Sequence, residues 1–362
     1  MNLPADENNR AECISVVLPV YNAAPYLDAA IASILGQSHR NLELLAAVDG
    51  GSTDASGSIV EAWASHDARV RPIPTPHITP TAARLLAAGQ ARGSHIAFMD
   101  ADDISLPHRL EAQLAYMRRH DLAICGCLVE EFTPTHRRLL WFPRSHEAIA
   151  REQLFRFGLF TPALMMRTGI LAGLDRTDQR IFEDHAWWNE RIRTEHVGNV
   201  PEVLYRWRGH DTNLSKRHSQ EVFAEWRRGR EQCFFRFFPD ATREDFDAFD
   251  AAAVNRPQGS VEALDRAGKW LAALAGIDEL PYRERLALRW RRVCMESAGI
   301  GPQAFRIYCK YRTQFGAPPP GGMRVRLLSL MRLSSGSTLY RNAARVARYL
   351  RRSANRSEPA SP

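Results

Sequence analysis

From Cys13 the chain alternates short apolar runs with segments whose apolar residues recur every three or four positions. That is the pattern of parallel strands joined by crossover helices. CISVVLP reads as a buried strand, and residues 25–35 place Leu27, Ile31, Ile34 and Leu35 on one helical face with proline near the start. Residues 42–48 read as a second strand, 54–66 as a helix, 69–73 as a short strand and 81–91 as a helix. A strand over 95–99 then runs directly into Asp100, Asp102 and Asp103. A helix over 107–119 and a strand over 123–131 follow, and the stretch to about residue 214 is less regular. Beyond Ser219 helical periodicity dominates, over 221–237, 244–254, 261–274 and 282–297.

These patterns divide the chain into an N-terminal tail (1–12), an α/β domain (13–215) and a helical region (216–316). The run APPPGG forms a linker (317–322), and a basic amphipathic helix with a polar tail closes the chain (323–362). The α/β part reads as a Rossmann-like, mostly parallel sheet flanked by helices. Its polar residues gather at the C-terminal ends of the strands, where open α/β sheets place ligands.

Composition narrows the field. At 362 residues, with 45% hydrophobic and 25% charged residues, the chain has the makeup of a globular protein. No apolar run approaches the roughly 20 residues of a membrane helix. The first thirteen residues hold no apolar signal-peptide core, and six cysteines in so long a chain do not form a disulfide framework. The expectation is a cytoplasmic protein with reduced thiols. Cys125 and Cys127 share one face of a strand without companion ligands and read as core thiols. Charge is unevenly placed. Residues 297–362 carry twelve Arg and Lys side chains against Glu358 alone, a net +11, so residues 1–296 carry −4 of the total +7. Such a segment calls for an anionic partner.

Asp100, Asp102 and Asp103, three carboxylates at the end of a strand, form a hard-oxygen site suited to Mg2+ or Mn2+. A helix cap would need only one of them. In the turn VDGGSTDAS, glycines permit close backbone approach and hydroxyls can meet ribose or phosphate, although any strand-to-helix turn can use such residues. Neither G-x-G-x-x-G nor G-x-x-x-x-G-K-[ST] occurs, which removes the main support for dehydrogenase and P-loop readings.

SVVLPVYNAAPYLDAAIASILGQ, ELLAAVDGGSTDAS, ARGSHIAFMDADD and FEDHAWW occur in an order and spacing that resemble the family 2 glycosyltransferases of GT-A fold. The resemblance covers about residues 13–215. It implies inverting transfer of a sugar from a nucleotide-diphosphate donor, with Mn2+ or Mg2+ as cofactor, to a glycan or lipid-linked acceptor in cell-surface polysaccharide synthesis. It puts Pro19 and Tyr21 beside base and ribose, Asp49 beneath the nucleotide, and Asp102 against both nucleotide and metal. It makes Asp100, Asp102 and Asp103 the metal-binding element, with Asp103 the foremost direct ligand. Asp184, after Glu183, takes the position of the catalytic base. Taken alone, Glu183 and Asp184 read better as a capped, solvated helix start ahead of Trp187, Trp188 and Ile192; the base assignment comes from their register with the other three blocks. In LYRWRGHDTNLSKR, which resembles the closing segment of the family, Arg206, Arg208, His210 and Lys216 are candidates to approach the diphosphate; Arg208 and His210 are preferred. Two positions depart from the pattern. Gly50 stands where the family commonly has a second acid for the uracil ring, and Leu85 where it often has Asn.

Those departures define the rival reading, a non-catalytic GT-A-like scaffold that has lost donor specificity. Against it, all the acids are kept. Nucleotidyl transfer to a sugar phosphate ranks third, because no lysine- and glycine-rich phosphate loop follows the first strand. In the tail, counting about 100° per residue from Leu339, the residues Ala343, Val346 and Leu350 fall within about 40° of it on a helical wheel, while Arg341, Arg345, Arg348 and Arg352 fall at about 180–240°. Residues 338–352 thus suit peripheral contact with an anionic membrane at the inner face of the cell. A helix docked on the domain with its arginines in water fits the same wheel. No nucleic-acid motif accompanies the charge.

Overall fold

A computed structural model describes residues 13–172, 184–210, 219–315, 322–334 and 337–339, with the side chains of 184–186 and 219–222 left aside. The chain divides into two units, Met1–Gly229 and Arg230–Pro362.

The first unit is built on β1 (Ile14–Val20), α1 (Ala24–Leu35), β2 (Leu42–Asp49), α2 (Ser56–His66), β3 (Val70–Thr75), α3 (Pro80–Ala88), β4 (His95–Phe98) and β5 (Ile104–Ser105). It continues through α4 (Arg109–His120), β6 (Ile124–Phe132), β7 (Arg137–Leu140), α5 (His146–Glu152), β8 (Met165–Arg167), α6 (Asp184–Thr194) and β9 (Val197–Arg208). The sheet runs β3-β2-β1-β4-β8-β6-β9-β5, with β7 beside β6. Its long ladders, β3 to β4 and β6 to β9, are parallel, and the short pairings through β5, β7 and β8 are antiparallel. This is the mixed, mostly parallel sheet that the periodicity predicts.

Alternation along the strands explains the layering. Ile14, Val16, Leu18 and Val20 face one core with Leu27 and Ile31 of α1 and Leu110 and Leu114 of α4. Val17, Leu45 and Ala47 face the other with Ala83 and Ala87 of α3 and Trp188 and Ile192 of α6. Strands buried on both faces read as continuous apolar runs, which is why β1 and β2 are legible in sequence. Cys125 and Cys127 are both fully buried in the first core, as their spacing implies. Two 3₁₀ turns, Thr161–Ala163 and Thr168–Leu171, and β7, α5, β8, α6 and β9 fall in the stretch read as irregular. The twelve-residue β9 is the main element missed there: Pro201 and Glu202 interrupt its alternation, and the register against β6 shifts where they lie.

The second unit contains the rest of α7 (Ser219–Phe237), then α8 (Arg243–Ala253), α9 (Val261–Ala273), α10 (Leu280–Glu296), α11 (Pro302–Tyr311) and α12 (Gly322–Leu330). Phe234, Phe238, Phe246, Phe249 and Trp270 form one aromatic cluster, and Trp290 packs on Tyr311 and Phe315. Gly268 allows α9 to approach α11; a Cβ there would lie 2.5 Å from the Tyr311 ring. Arg230 and Asp250 form a buried ion pair. The predicted linker, 317–322, lies outside the described residues except for Gly322, which begins α12.

Candidate active site

The site forms where β1, β2, β3 and β4 end. After β1, Asn22 takes a left-handed conformation (φ 47°) that Asn tolerates well. Its side chain accepts the Thr53 N–H at 2.8 Å, while the Ala23 N–H donates to Ser56 Oγ at 2.9 Å and the Ala24 N–H to Asp54 at 3.0 Å. The loop after β1 is thereby clipped to the VDGGSTDAS turn. Pro19 is half-buried near the end of β1, opposite Ala47, and Tyr21 stands exposed just beyond.

Asp49 is buried at the end of β2. One oxygen accepts the Gly51 N–H at 2.7 Å and meets His77 Nδ1 at 3.0 Å, and the other accepts the Ile78 N–H at 3.3 Å. Gly51 makes this possible, since a Cβ there would fall 2.7 Å from the His77 ring. At Gly50, the position of the missing second acid, a Cβ would press to 3.2 Å from the Thr75 carbonyl oxygen. His77 is 65% exposed, and its ring lies 5.1 Å from that of Tyr21. Two exposed rings above a buried carboxylate thus line the end of β2 and β3. His77 went unnoticed in the sequence; its only signal is a lone histidine at the C-terminal end of a strand, the edge that carries ligands.

Beyond β4, Asp100, Asp102 and Asp103 each bring a carboxylate oxygen within 4.8 Å of the others. Asp103 is fully buried, and Asp100 and Asp102 are partly exposed. Asp103 Oδ1 accepts the Arg208 N–H at 2.7 Å and Oδ2 accepts the Tyr205 hydroxyl at 2.8 Å. That hydroxyl in turn accepts the Asp100 N–H at 3.1 Å. Asp100 pairs with Arg84 of α3, next to Leu85, and His210 Nε2 lies 2.7 Å from Asp102 Oδ2. Arg208 Nε donates to the Asp102 carbonyl at 2.8 Å, with its guanidinium over the rings of Tyr26 and Phe132. Beneath them, the buried Arg109 donates twice to the Phe98 carbonyl and lies 5.3 Å from the Tyr205 ring.

Burial, then the charges of Asp102 and Asp100, pushes the Asp103 carboxyl well above the usual carboxylate range. Burial and Asp100 raise Asp102, against the pull of His210. Burial, followed by the two acids, raises the Tyr205 phenol well above its usual value, so it stays a donor. A close set of carboxylates whose own charges resist ionisation is the electrostatic setting that a divalent cation relieves, and an all-oxygen donor set matches Mg2+ or Mn2+.

The structure therefore brings together Asp100, Asp102, Asp103, Arg208 and His210, which the sequence picked out, and adds Arg84, Arg109 and Tyr205, which it did not. Arg206 turns to Glu130 at 2.8 Å, and Lys216 lies outside the described residues. Asp184 begins α6, but its side chain and Glu183 lie outside them too. Trp188 is buried in the sheet core, and Trp187 sits edge-on to it at 4.2 Å.

The profile of glycosyl transferase family 2 matches residues 15–177. The chain is 32% identical over 222 residues to a putative glycosyltransferase, EpsE, of Bacillus subtilis, covering 58% of this chain and 78% of that one. It is 28% identical over 226 residues to an uncharacterised glycosyltransferase of Haemophilus influenzae, covering 58% and 69%. A second H. influenzae glycosyltransferase is 41% identical over 112 residues, of whose length the chain spans 44%. Among solved structures, S. aureus TarS 1-349 in complex with UDP-GlcNAc superposes with a TM-score of 0.50 at 17% identity, covering 83% of this chain and 90% of that one. The chain belongs to glycosyl transferase family 2 and has the fold of the GT-A glycosyltransferases; it is a transferase.

Proposed function

We propose that the protein is a metal-dependent, inverting glycosyltransferase that moves a sugar from a nucleotide-diphosphate donor to a glycan or lipid-linked acceptor in cell-surface polysaccharide synthesis. The observation that carries this reading is the convergence of Asp100, Asp102 and Asp103, with ligand atoms within 4.8 Å, at the strand ends that also hold Asp49, Tyr21 and His77.

In this reading Tyr21 and His77 flank the base, Asp49 fixes the turn beneath it, and Arg208 and His210 approach the diphosphate. Asp100, Asp102 and Asp103 would hold Mg2+ or Mn2+, whose chemistry is to neutralise charge developing on the departing diphosphate. Asp184 accepts the proton of an acceptor hydroxyl as its oxygen bonds the anomeric carbon and the bond from that carbon to the diphosphate breaks. One displacement inverts the anomeric centre. The base must be a carboxylate outside the metal cluster, because an acid bound to a cation is a poor proton acceptor.

No helix among the described residues is long and apolar enough to cross a membrane. The reading places the enzyme in the cytoplasm, with residues 338–352 as a peripheral contact to an anionic membrane; all but Thr338 and Leu339 of these lie outside the described residues. A screen of nucleotide-sugar donors for nucleotide-diphosphate release, with and without Mn2+, tests the proposal. Release from one donor class that EDTA abolishes supports it, and no release from any donor with any divalent ion favours a binding protein.

A further inference from the structure

Helix α12 is apolar on two opposite faces. Val325, Leu328 and Ser329 are buried at 0%, 6% and 0% exposure and fasten it to the second unit. Met323, Leu327, Leu330 and Met331 are 76%, 52%, 59% and 62% exposed. At about 100° per residue these four fall within an arc of about 100°, and Arg324 and Arg326 lie about 80° to either side of its centre. Both arginines are exposed. The helix stops in an ordered way just after this stripe: Arg332 takes a left-handed conformation (φ 51°), its N–H donates to the Ser329 carbonyl, and the Leu333 N–H donates to the Leu328 carbonyl. The outward stripe is therefore a presented surface on a fixed element, and packing of the helix does not require it.

We infer that this outward face of α12 docks on the surface of an anionic lipid bilayer, with Met323, Leu327, Leu330 and Met331 entering the headgroup boundary and Arg324 and Arg326 pairing with lipid phosphates. Three observations select a bilayer. The stripe is made of long, flexible apolar side chains flanked by arginines, whose stems can lie along apolar surface while the charge reaches outward. No acidic residue occurs between Glu296 and Glu358, so nothing in this part of the chain repels an anionic surface. The exposed Leu339, at 70%, and the basic sequence after it continue the same composition. The inference is independent of the transfer chemistry, since lipid binding needs no donor, and it assigns docking to α12 where the sequence alone pointed to 338–352.

The test is sedimentation of the full chain with vesicles of phosphatidylcholine and phosphatidylglycerol in equal parts, against phosphatidylcholine alone. The wild-type chain is expected to sediment with the mixed vesicles only, and less as salt rises. Replacing Met323, Leu327, Leu330 and Met331 together by Ser should lower binding at least about tenfold, with secondary structure and donor hydrolysis unchanged. Should that variant lose structure, Arg324→Glu with Arg326→Glu, confined to exposed positions, should give a loss of similar size. Reversal of Arg341, Arg345 and Arg348 to Glu in the full chain should weaken binding while leaving it sensitive to the α12 changes. The inference is overturned if the wild-type chain ignores mixed vesicles at low salt, or if both α12 variants bind like wild type while the 341/345/348 reversal alone abolishes binding. It is also overturned if the serine variant differs from wild type only in oligomeric state, which would make the stripe an interface between copies. Donor hydrolysis is scored separately, so failure of the transfer reading leaves the lipid result standing.

Discussion

The Tyr205 hydroxyl donates to Asp103 Oδ2 at 2.8 Å and, with its own oxygen, accepts the Asp100 N–H at 3.1 Å. One side chain from β9 thus fixes both ends of the acidic cluster that follows β4, a hundred residues earlier. Tyr205→Phe keeps the ring against Arg109 and removes the hydroxyl, leaving a buried carboxylate oxygen and a backbone N–H without their partner. A stability loss of about 1–3 kcal/mol in urea unfolding is expected. Loss of a group that orients candidate ligands should also weaken divalent-dependent nucleotide binding by about 10–100-fold. Titration with nucleotide diphosphate and Mn2+ separates the two effects, since a purely structural role would leave the affinity of the folded fraction unchanged.

Nucleotide-diphosphate binding should require a divalent cation. Asp102→Asn is a cleaner probe than Asp103→Ala, because Asp103 is buried and both its oxygens are already bonded, whereas Asp102 is partly exposed. Calorimetric titration of Asp102→Asn should show affinity that no longer depends on Mn2+, because a neutral amide is a poor ligand for a hard cation. Equal affinity with and without EDTA in the wild-type protein would remove the metal from the account.

His77 is expected to govern donor binding and not the chemical step. Its ring touches Tyr21 and the buried Asp49 from an exposed position, so His77→Ala should cost little stability. It should raise KM for the donor several-fold while kcat stays within about twofold, the pattern of lost uniform binding. A fall in kcat with KM unchanged would place His77 in the chemical step instead.

β1, β2 and β4 were legible because strands buried on both faces carry near-continuous apolar residues, and the acidic cluster because three acids follow such a strand directly. What escaped reading arises from pairing across long stretches of chain. Tyr205, which the sequence did not single out, and Arg208, which it did, reach the acids only because β9 lies between β6 and β5, parallel to the first and antiparallel to the second. Pro201 hides that strand by removing a donor and shifting the register. Arg84 is one residue from the anomalous Leu85, yet its pairing with Asp100 depends on where α3 packs, and sequence spacing carries no record of that.

A stability signature independent of the active site is expected from the start of α8. Thr242 and Asp245 form a reciprocal cap, each side chain bonded to the backbone of the other. Burial alone would raise the Asp245 carboxyl, but hydrogen bonds from the Thr242 N–H and hydroxyl and from Arg266 outweigh it and bring it down to about 2. The unfolded value is about 3.9, so the folded state holds the depressed value. This contribution, on the order of 2–3 kcal/mol, is complete above pH of about 5 and is lost as pH falls through the unfolded value toward 2. Urea unfolding between these limits should show Asp245→Asn with a shallower acid dependence than wild type. Parallel curves would mean that the cap does not couple to the proton.

The sharpest test of the transfer reading is Asp184→Asn. The residue begins α6, whose Trp188 and Ile192 are buried in the sheet core, so the helix is held by contacts that the substitution does not touch. An amide keeps the shape of the carboxylate and cannot take a proton at neutral pH. If Asp184 is the general base, the variant should fold, bind donor with unchanged affinity and transfer at least about 100-fold more slowly, the usual worth of a positioned base. Because the first acceptor-dependent step is the one affected, slow hydrolysis of donor by water should fall by a smaller factor than transfer to an acceptor. Turnover near wild type would move the base elsewhere, and Glu183→Gln is then the variant to measure, since it is the adjacent carboxylate in the same motif.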